Sequence, residues 1–401
     1  MNTISLQDGL HELCEKRRIV SGLAFAYGDG NHAVSDVCGL AQETTLENGT
    51  FVPAIRPLVM ASLFDLASVT KLFTSLAILQ LSEKGALRLD DPIGRFDARF
   101  CYIADLSIRD LLSFRAALRT DERIDTQQNR EAALAQLFSI KSAPEPLMRY
   151  YSDMGAMVLK YVIEAAAGMP LFDYIRQHIL APLGMSDTYS RIPDGAHARA
   201  VCYNYERRIL NGAYDLDTGC TAGVVHDPKA RILRADGDDL CGHAGLFSTI
   251  EDMIRLAQGL LNDRLLARST LLEIGKNRTG RRLPDGTHTQ YLGYLCFAKH
   301  PDQTYSEVPA CFGDQTIALN GFTGNHFSVD PNRGQFIIIL ANKIHNRVTL
   351  ANGRADPFDP TQWVTWNDGR KYPVSQNYTF LKDRYLKEPI GELLGDIRRN
   401  H

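Results

Sequence analysis

The apolar and polar positions of the N-terminal region follow first a helical and then a strand-like pattern. The spacing predicts a helix over about residues 5–15, followed by apolar strands at residues 19–27 and 33–40. Gly28, Asp29 and Gly30 lie between the two strands and form a typical turn sequence. The chain is therefore expected to begin with a helix and two strands joined by a turn.

The next part of the chain has mainly helical spacing. Leu72, Leu76 and Leu79 recur on one face of a helix predicted to run from Ser68 to residue 84, and Gly85 ends it. Helical patterns continue to about residue 184. They cover residues 108–112, 130–138, 153–167 and 171–180, and prolines at positions 144, 146, 170 and 182 interrupt them.

Strand patterns return near the C-terminal end. Residues 326–329 and 335–341 are β-branched and aromatic, and the turn at residues 330–334 predicts that they form a hairpin. The run Ile337-Ile338-Ile339-Leu340 is typical of a strand covered on both faces. Strands at both ends with helices between them predict an α+β catalytic domain over residues 1–346, with a helical insertion at about residues 75–200.

Residues 347–401 form an extension of different composition. It contains both tryptophans, Trp363 and Trp366, and several other aromatic residues, whereas disordered segments are poor in aromatics. We expect the extension to pack on the body, with Trp363 or Trp366 at the substrate cleft or at a subunit contact. The alternative is that its aromatics only cover an apolar patch on the back of the domain.

Composition narrows the class of protein. An apolar fraction of 44%, a charged fraction of 23% and a net charge of −3 indicate a globular protein without a nucleic-acid or membrane partner. The N-terminus lacks the apolar core and cleavage site of a signal peptide, so we expect a cytoplasmic location. The eight cysteines are scattered, and Cys241 with His243 lacks a second ligand pair, so no metal or other cofactor is expected. The oligomeric state is left open.

Ser68 and Lys71 carry the candidate chemistry. Their spacing of three places both side chains on one face of a helix. A serine becomes a nucleophile when a base takes its proton, and a lysine is a base only when it is neutral. Burial lowers the pKa of a lysine towards neutrality. Apolar neighbours predict such burial: Phe64, Leu66, Ala67, Leu72 and Phe73. The alternative for this common pattern is a solvated helix start, with Ser68 near the N-cap.

The wider sequence favours the catalytic interpretation, because it resembles the esterase branch of the class C β-lactamase/penicillin-binding-protein family. The segment FDLASVTKLF at residues 64–73 resembles the family's nucleophile segment, and Tyr151-Ser152-Asp153 is similar to its second motif. Gly321-Phe322-Thr323-Gly324 resembles the strand that carries the third motif. Further landmarks follow the family's order at residues 159–164, 181–188, 226–228 and 242–249.

This resemblance implies a β-lactamase/transpeptidase-like fold, with an antiparallel five-stranded sheet flanked by helices. It also implies roles for individual residues. Ser68 would be acylated, Lys71 would accept its proton, and Tyr151 would relay a proton to the leaving group. The backbone N–H groups of Ser68 and Phe322 would form the oxyanion hole. The remaining residues implied for substrate binding are Gly321, Asn320 and Asp153.

Two departures from the family pattern affect the expected substrate. Leu319 stands where the third motif usually has Lys or His, so we expect β-lactams to be turned over slowly or not at all, because their carboxylate lacks a partner. The loop at residues 113–117 also differs, and Arg115 or Arg119 could place a cation at the rim. His243 is interpreted as part of a structural turn, with a second catalytic base as the alternative.

The sequence therefore predicts a serine hydrolase that cleaves a small ester or amide through an acyl-Ser68 intermediate. An acyltransferase that uses the same intermediate in small-molecule biosynthesis is the first alternative, since both enzymes need the same nucleophile. A catalytically silent binding protein of the same fold is the second. The expected partner is a small-molecule acyl substrate.

Overall fold

The computed structural model describes residues 4–143, 150–210, 213–234, 240–350 and 363–399. No single helix among these residues has the length and apolarity needed to cross a membrane. A bent helix pair, Met154–Ala167 with Leu171–Leu183, passes the same test by length and composition.

The core of the fold is an antiparallel sheet built from both ends of the chain. The strands of the described residues are β1 (Gly22–Asp29), β2 (Ala33–Glu47), β3 (Thr50–Pro57), β4 (Phe64–Asp65), β5 (Leu118–Arg119), β6 (Lys141–Ser142), β7 (Glu206–Leu210), β8 (Ala213–Asp217), β9 (Phe247–Ser248), β10 (Ile317–Asn320), β11 (His326–Asp330), β12 (Gln335–Ala341), β13 (Val348–Leu350), β14 (Trp363–Thr365) and β15 (Lys371–Pro373). The strand order of this sheet is β10-β11-β12-β1-β2-β3, and β1 pairs with β12 through partners such as Phe25 and Ile339.

The predicted α+β class is confirmed, but the sheet has six strands instead of five. The extra strand follows from the length of β2, which runs for 15 residues and continues past the hairpin with β1. Register shifts between Leu40 and Thr44 bend β2, and its second half pairs with β3. A bulge of this kind increases the local twist and redirects a strand.

Strand β12 lies in the middle of the sheet and is covered on both faces, as its apolar run predicted. Phe336, Ile338 and Leu340 face the main core, whereas Ile337 and Ile339 face a second apolar cluster. Alternation of side chains across a strand assigns these residues to opposite layers.

Helices cover both faces of the sheet and form the inserted region. Several agree with the predicted segments, including one that begins after the N-cap Asn129. The helices are α1 (Leu6–Leu10), α2 (Thr70–Glu83), α3 (Ile108–Leu112), α4 (Arg130–Phe138), α5 (Met154–Ala167), α6 (Leu171–Ile175), α7 (Ala181–Leu183), α8 (Pro228–Leu233), α9 (Ile250–Leu261), α10 (Arg268–Ile274), α11 (Asn377–Lys382) and α12 (Glu388–Arg399).

The described part of the C-terminal extension packs on the body of the protein. Tyr378, Leu386 and Ile390 are buried in the second apolar cluster, together with Leu10 and Leu13 of the N-terminal region. Helices α11 and α12 therefore close the face of the sheet opposite the main core.

Candidate active site

The turn that presents Ser68 is held by a buried carboxylate. Ala67 has a φ of +47°, in the left-handed region that non-glycine residues rarely adopt. Oδ1 of Asp65 accepts a hydrogen bond from the Ala67 N–H at 2.8 Å, and its Oδ2 accepts one from the His226 N–H at 2.7 Å. These bonds fix the strained turn, so Ser68 projects from a short 3₁₀ helix, Ala67–Val69, that leads into α2.

Lys71 is fully buried and has three acceptors for its three N–H groups. Its Nζ lies 2.8 Å from Ser68 Oγ, 2.7 Å from Asp153 Oδ1 and 3.3 Å from the His243 carbonyl oxygen. These three neighbours, one of them a carboxylate, suit an ammonium group, which can donate up to three hydrogen bonds.

The charge of Lys71 differs from the expectation based on burial. Burial alone lowers the pKa of Lys71, but the attraction of Asp153 and the contribution of Tyr151 outweigh it, so the pKa is raised above its ordinary value. This direction is opposite to the one expected from the sequence, which indicated the apolar neighbours of Lys71 but not the carboxylate that reaches it from the start of α5.

Asp153 belongs to a chain of alternating charges behind the nucleophile. Its Oδ2 lies 3.0 Å from Lys229 Nζ, and Lys229 also lies 3.6 Å from Asp227. Asp227 Oδ1 is 2.9 Å from Nε2 of His243, which is fully buried. These cationic partners lower the pKa of both Asp153 and Asp227, although burial opposes the shift.

This network contains donors that could hold a metal ion. Oxygen and nitrogen atoms of Asp153, Asp227 and His243 lie within 4.8 Å of one another. However, the ammonium groups of Lys71 and Lys229 already contact the Asp153 carboxylate. The charge of the carboxylates is thus neutralised within the protein, and the group is best explained as an ion-pair network that positions Lys71.

Tyr151 lies beside Lys71 between two other aromatic rings. Its ring stacks on Phe114 at a centroid distance of 5.2 Å and on Phe297 at 5.3 Å. Lys71 Nζ is 5.1 Å from the centroid of the Tyr151 ring, and the Tyr151 N–H donates to Gln290 Oε1 at 3.0 Å. The phenol is therefore held in a fixed orientation next to the Ser68–Lys71 pair.

The end of β10 approaches the nucleophile turn so closely that only glycine fits. A Cβ on Gly321 would lie 2.8 Å from the Leu66 carbonyl oxygen. Thr323 Oγ1 and Asn325 Nδ2 donate to the Asp65 carbonyl oxygen at 3.0 and 2.8 Å, and so tie the following turn to the same segment. This contact holds the Gly321 backbone against the segment that leads to Ser68, and Phe322 lines the same cleft as Ser68.

An open cleft of about 770 Å³ joins these groups. Its lining includes six of the predicted site residues: Ser68, Tyr151, Asp153, Asn320, Gly321 and Phe322. Leu319 is buried outside it, and Arg115, Arg119, Trp363 and Trp366 do not line it. The expectation that a tryptophan borders the cleft was wrong, because Trp366 packs on Val348 and Tyr372 in a separate small cluster and Trp363 is exposed elsewhere. A tryptophan at a subunit contact stays a prediction.

Sequence reasoning missed several residues of this cleft. Lys343 follows β12, and Lys382 comes from α11 in the C-terminal extension. Lys229 and Gln290 also line it. For Lys229, the neighbouring motif at residues 226–228 was an available signal, whereas the other three lie in segments without any motif.

Comparisons with known proteins identify the family. The family profile described as "Beta-lactamase" matches residues 10–356. A protein of Escherichia coli (strain K12) named "Putative D-alanyl-D-alanine carboxypeptidase" is 27% identical over 363 residues, which cover 80% of this chain and 78% of that protein.

Solved structures show the same fold. Simvastatin synthase (LovD) from Aspergillus terreus superposes on this chain with a TM-score of 0.67 at 15% identity. The alignment covers 97% of this chain and 97% of that protein. EstCE1, a hydrolase with promiscuous acyltransferase activity, gives a TM-score of 0.63 at 19% identity and covers 84% of this chain and 92% of its own. With the profile match over most of its length, the chain belongs to the β-lactamase family.

Proposed function

We propose that the protein is a serine hydrolase that cleaves a small ester or amide through an acyl-Ser68 intermediate. The observation that carries this proposal is the 2.8 Å contact between Lys71 Nζ and Ser68 Oγ at the wall of an open cleft. The close approach of Gly321 to the nucleophile turn supports the oxyanion hole that acyl transfer needs.

In the proposed acylation, Ser68 Oγ attacks the substrate carbonyl carbon, and the negative oxygen that forms is bound by the N–H groups of Ser68 and Phe322. The bond to the leaving group then breaks and leaves an ester on Ser68. Water attacks that ester in the second half of the reaction and releases the acid.

The charged state of Lys71 changes the proposed path of the proton. An ammonium can donate to Ser68 Oγ but cannot take its proton. Tyr151 is the neighbouring group in the cleft that can exchange one, and the fixed charge of Lys71 offsets negative charge on the Tyr151 oxygen. We therefore assign the proton relay to Tyr151: its phenol oxygen takes the Ser68 proton while its own O–H proton passes to the leaving group. Lys71 is assigned the role of a positioned cation.

Covalent labelling with a fluorophosphonate tests the nucleophile. The wild-type chain should gain the mass of one phosphonyl group, and Ser68→Ala should gain none and should lose turnover of 4-nitrophenyl esters. Ser82→Ala, at the other end of α2, is the matched control and should label like the wild type. Equal labelling or undiminished ester turnover in Ser68→Ala would refute the proposal.

Turnover of the same 4-nitrophenyl esters in the presence of an added alcohol or amine separates hydrolysis from acyl transfer. If water is the natural acceptor, the added alcohol or amine should take only a minor share of the acyl group. A product formed almost entirely from the added acceptor would assign the protein to the acyltransferases of the same fold.

A further inference from the structure

Two lysines line the cleft without a carboxylate partner. Lys382 is 3% exposed, and its Nζ donates to Asn320 Oδ1 at 3.2 Å. Among the described residues, no carboxylate oxygen lies within 4.0 Å of it. One turn later in the chain, Lys387 has such a partner, since its Nζ lies 2.7 Å from Asp383. Lys382 lines the cleft, whereas Lys387 does not.

Lys343 approaches the same end of the cleft from the sheet. Its Nζ lies 5.1 Å from the centroid of the Phe322 ring, and its N–H donates to the Thr323 carbonyl oxygen at 2.9 Å. Within the described ranges it also lacks a carboxylate within 4.0 Å. The other cations of the cleft are paired: Arg123 with Asp125, Arg208 with Glu206, and Lys229 with Asp153.

Unpaired ammonium groups in a partly desolvated cleft are costly to the protein. Burial lowers the pKa of Lys343 and that of Lys382 to about 8, although nearby acidic groups oppose the shift. An anion bound between them would remove this cost, so the pair is organised for a negatively charged ligand.

We propose that Lys343 and Lys382 form a subsite for a carboxylate of the substrate, beside the oxyanion hole. This inference rests on the proposed hydrolase function. It gives the substrate class as an ester or amide that carries a carboxylate on its acyl or its leaving side. Lys382 would replace, from the C-terminal extension, the cation that Leu319 does not provide.

The position of Lys382 limits the length of the substrate. Lys382 contacts Asn320, and the proposed oxyanion donor is Phe322, two residues further along the chain. Two residues span at most about 7 Å, so the carboxylate should lie roughly that far from the reactive carbonyl. A chain of about four methylene groups between the two has this length.

Glu307 is the group that argues against an anion at this position. It lines the same cleft, and its carboxylate accepts a hydrogen bond from Asn320 Nδ2. Glu206 also faces Lys343, but it is already paired with Arg208, and Asp383 is paired with Lys387. Glu307 is then the carboxylate left for two lysines, and Lys382 Nζ contacts Asn320 Oδ1 instead of Glu307. A positive charge therefore remains at this end of the cleft.

Matched charged and neutral esters test the subsite. The first pair is the 4-nitrophenyl monoester of adipic acid and 4-nitrophenyl hexanoate, with the charge on the acyl side. The second pair is 3-carboxyphenyl butyrate and phenyl butyrate, with the charge on the leaving side. The readout is the ratio of kcat/KM for the charged ester to kcat/KM for its neutral partner.

In at least one pair of esters, this ratio should be about tenfold to a hundredfold lower in Lys382→Met and in Lys343→Met than in the wild type. A loss of this size is expected when hydrogen bonds to a charged group are removed. The loss should be mainly in KM, and Lys382→Arg should restore part of it. Lys276→Met, which removes a partly exposed lysine that pairs with Glu273 and does not line the cleft, is the control and should keep the wild-type ratio. Ratios that stay unchanged in both Met variants for both pairs would overturn the proposal.

The pH dependence gives a second readout. Lysines with a pKa of about 8 are charged below that pH, so the preference for the charged ester should be present below pH 8 and fall above it. A preference that falls with pH in the wild type but not in Lys382→Met would support the subsite, whereas an equal fall in both proteins would contradict it. The charged groups that face the two lysines are Glu206, Glu307, Asp383 and Lys387.

Binding to Ser68→Ala separates this inference from the proposed catalysis. Calorimetry should show that monomethyl adipate binds more tightly than methyl hexanoate, and that Lys382→Met in the same background removes the difference. If the wild type turns over no ester but this binding difference is found, the hydrolase proposal fails and the anion subsite stands. If the wild type turns over neutral esters and no binding difference is found, the subsite fails alone.

Discussion

The Lys71–Asp153 pair should control both the charge of the site and the stability of the fold. We expect Asp153→Asn to be strongly destabilising, because it leaves a fully buried ammonium without its carboxylate. The two charged atoms are 2.7 Å apart, which corresponds to a gross attraction of about 6 kcal/mol at an effective dielectric constant of about 20. Asp153 keeps 24% side-chain exposure. Breaking such a pair typically costs about 3–5 kcal/mol, and we expect the lower end.

A double-mutant cycle separates the energy of the Lys71–Asp153 ion pair from the effect of changing the shape of each side chain. Lys71→Met combined with Asp153→Asn should recover much of the stability lost in Asp153→Asn, since replacing both partners of a buried pair is often nearly neutral. The measurement is the free energy of unfolding from denaturant titration at pH 7. Lys229→Met is the comparison, because Lys229 also contacts Asp153 but is 23% exposed whereas Lys71 is fully buried, and it should cost less than Asp153→Asn.

The sign of the pH dependence follows from the direction of the pKa shifts. In the wild type, the pKa of Lys71 is raised by folding. Its contribution to the free energy of unfolding is therefore fully present below the ordinary lysine pKa of about 10.4 and is lost only above that pH. In Asp153→Asn, burial should instead lower the pKa of Lys71, so its proton is released at a lower pH and the penalty is relieved. The stability difference between the two proteins should therefore narrow as the pH rises towards 10. A constant difference, or a double variant as unstable as Asp153→Asn, would show that Lys71 is not held as the ammonium of a coupled pair.

Three further predictions follow from the geometry. Gly321→Ala should lower the rate of fluorophosphonate labelling by about a hundredfold, because the added Cβ would lie 2.8 Å from the Leu66 carbonyl oxygen and displace the proposed oxyanion donor. Circular dichroism should show that the fold is retained, and normal labelling would contradict this prediction. Leu386→Ala should lower the free energy of unfolding by about 3 kcal/mol because it empties part of the second apolar cluster, whereas Phe380→Ala, at an exposed position, should change it by less than about 0.5 kcal/mol. Lys71→Arg should keep roughly tenfold more esterase activity than Lys71→Met if charge is what Lys71 supplies, and equal activities would restore the role of a neutral base.

Local patterns were sufficient to predict much of the fold. The helix over residues 130–138 has an N-cap at Asn129 and a regular apolar face, and the strand over residues 335–341 has an apolar run that fits a position between two layers. Ser68 and Lys71 lie within one turn of a helix, so their contact also follows from sequence spacing. In each case the information lies within a few residues of the feature.

Features that depend on distant residues could not be predicted in this way. The charge of Lys71 depends on Asp153, 82 residues away, and the cation that faces Asn320 lies 62 residues further along the chain at Lys382. The pattern over residues 33–40 predicted one strand paired with β1, whereas β2 continues past a bulge to Glu47 and also pairs with β3. No local propensity encodes such pairings, because they are set by how the layers pack.

The distribution of charge in the cleft separates catalysis from substrate choice. At the nucleophile, the charge of Lys71 is balanced by Asp153, so this lysine can position Ser68 and offset transient charge but has little net attraction for a substrate anion. At the far end, Lys343 and Lys382 lack such a partner among the described residues, so their charge remains available for a ligand. Substitutions at Lys71 should therefore slow every ester, whereas substitutions at Lys382 should change which ester is preferred. Under the two proposals, the Ser68–Lys71 region carries out acylation, whereas a segment near the C-terminal end sets the substrate class.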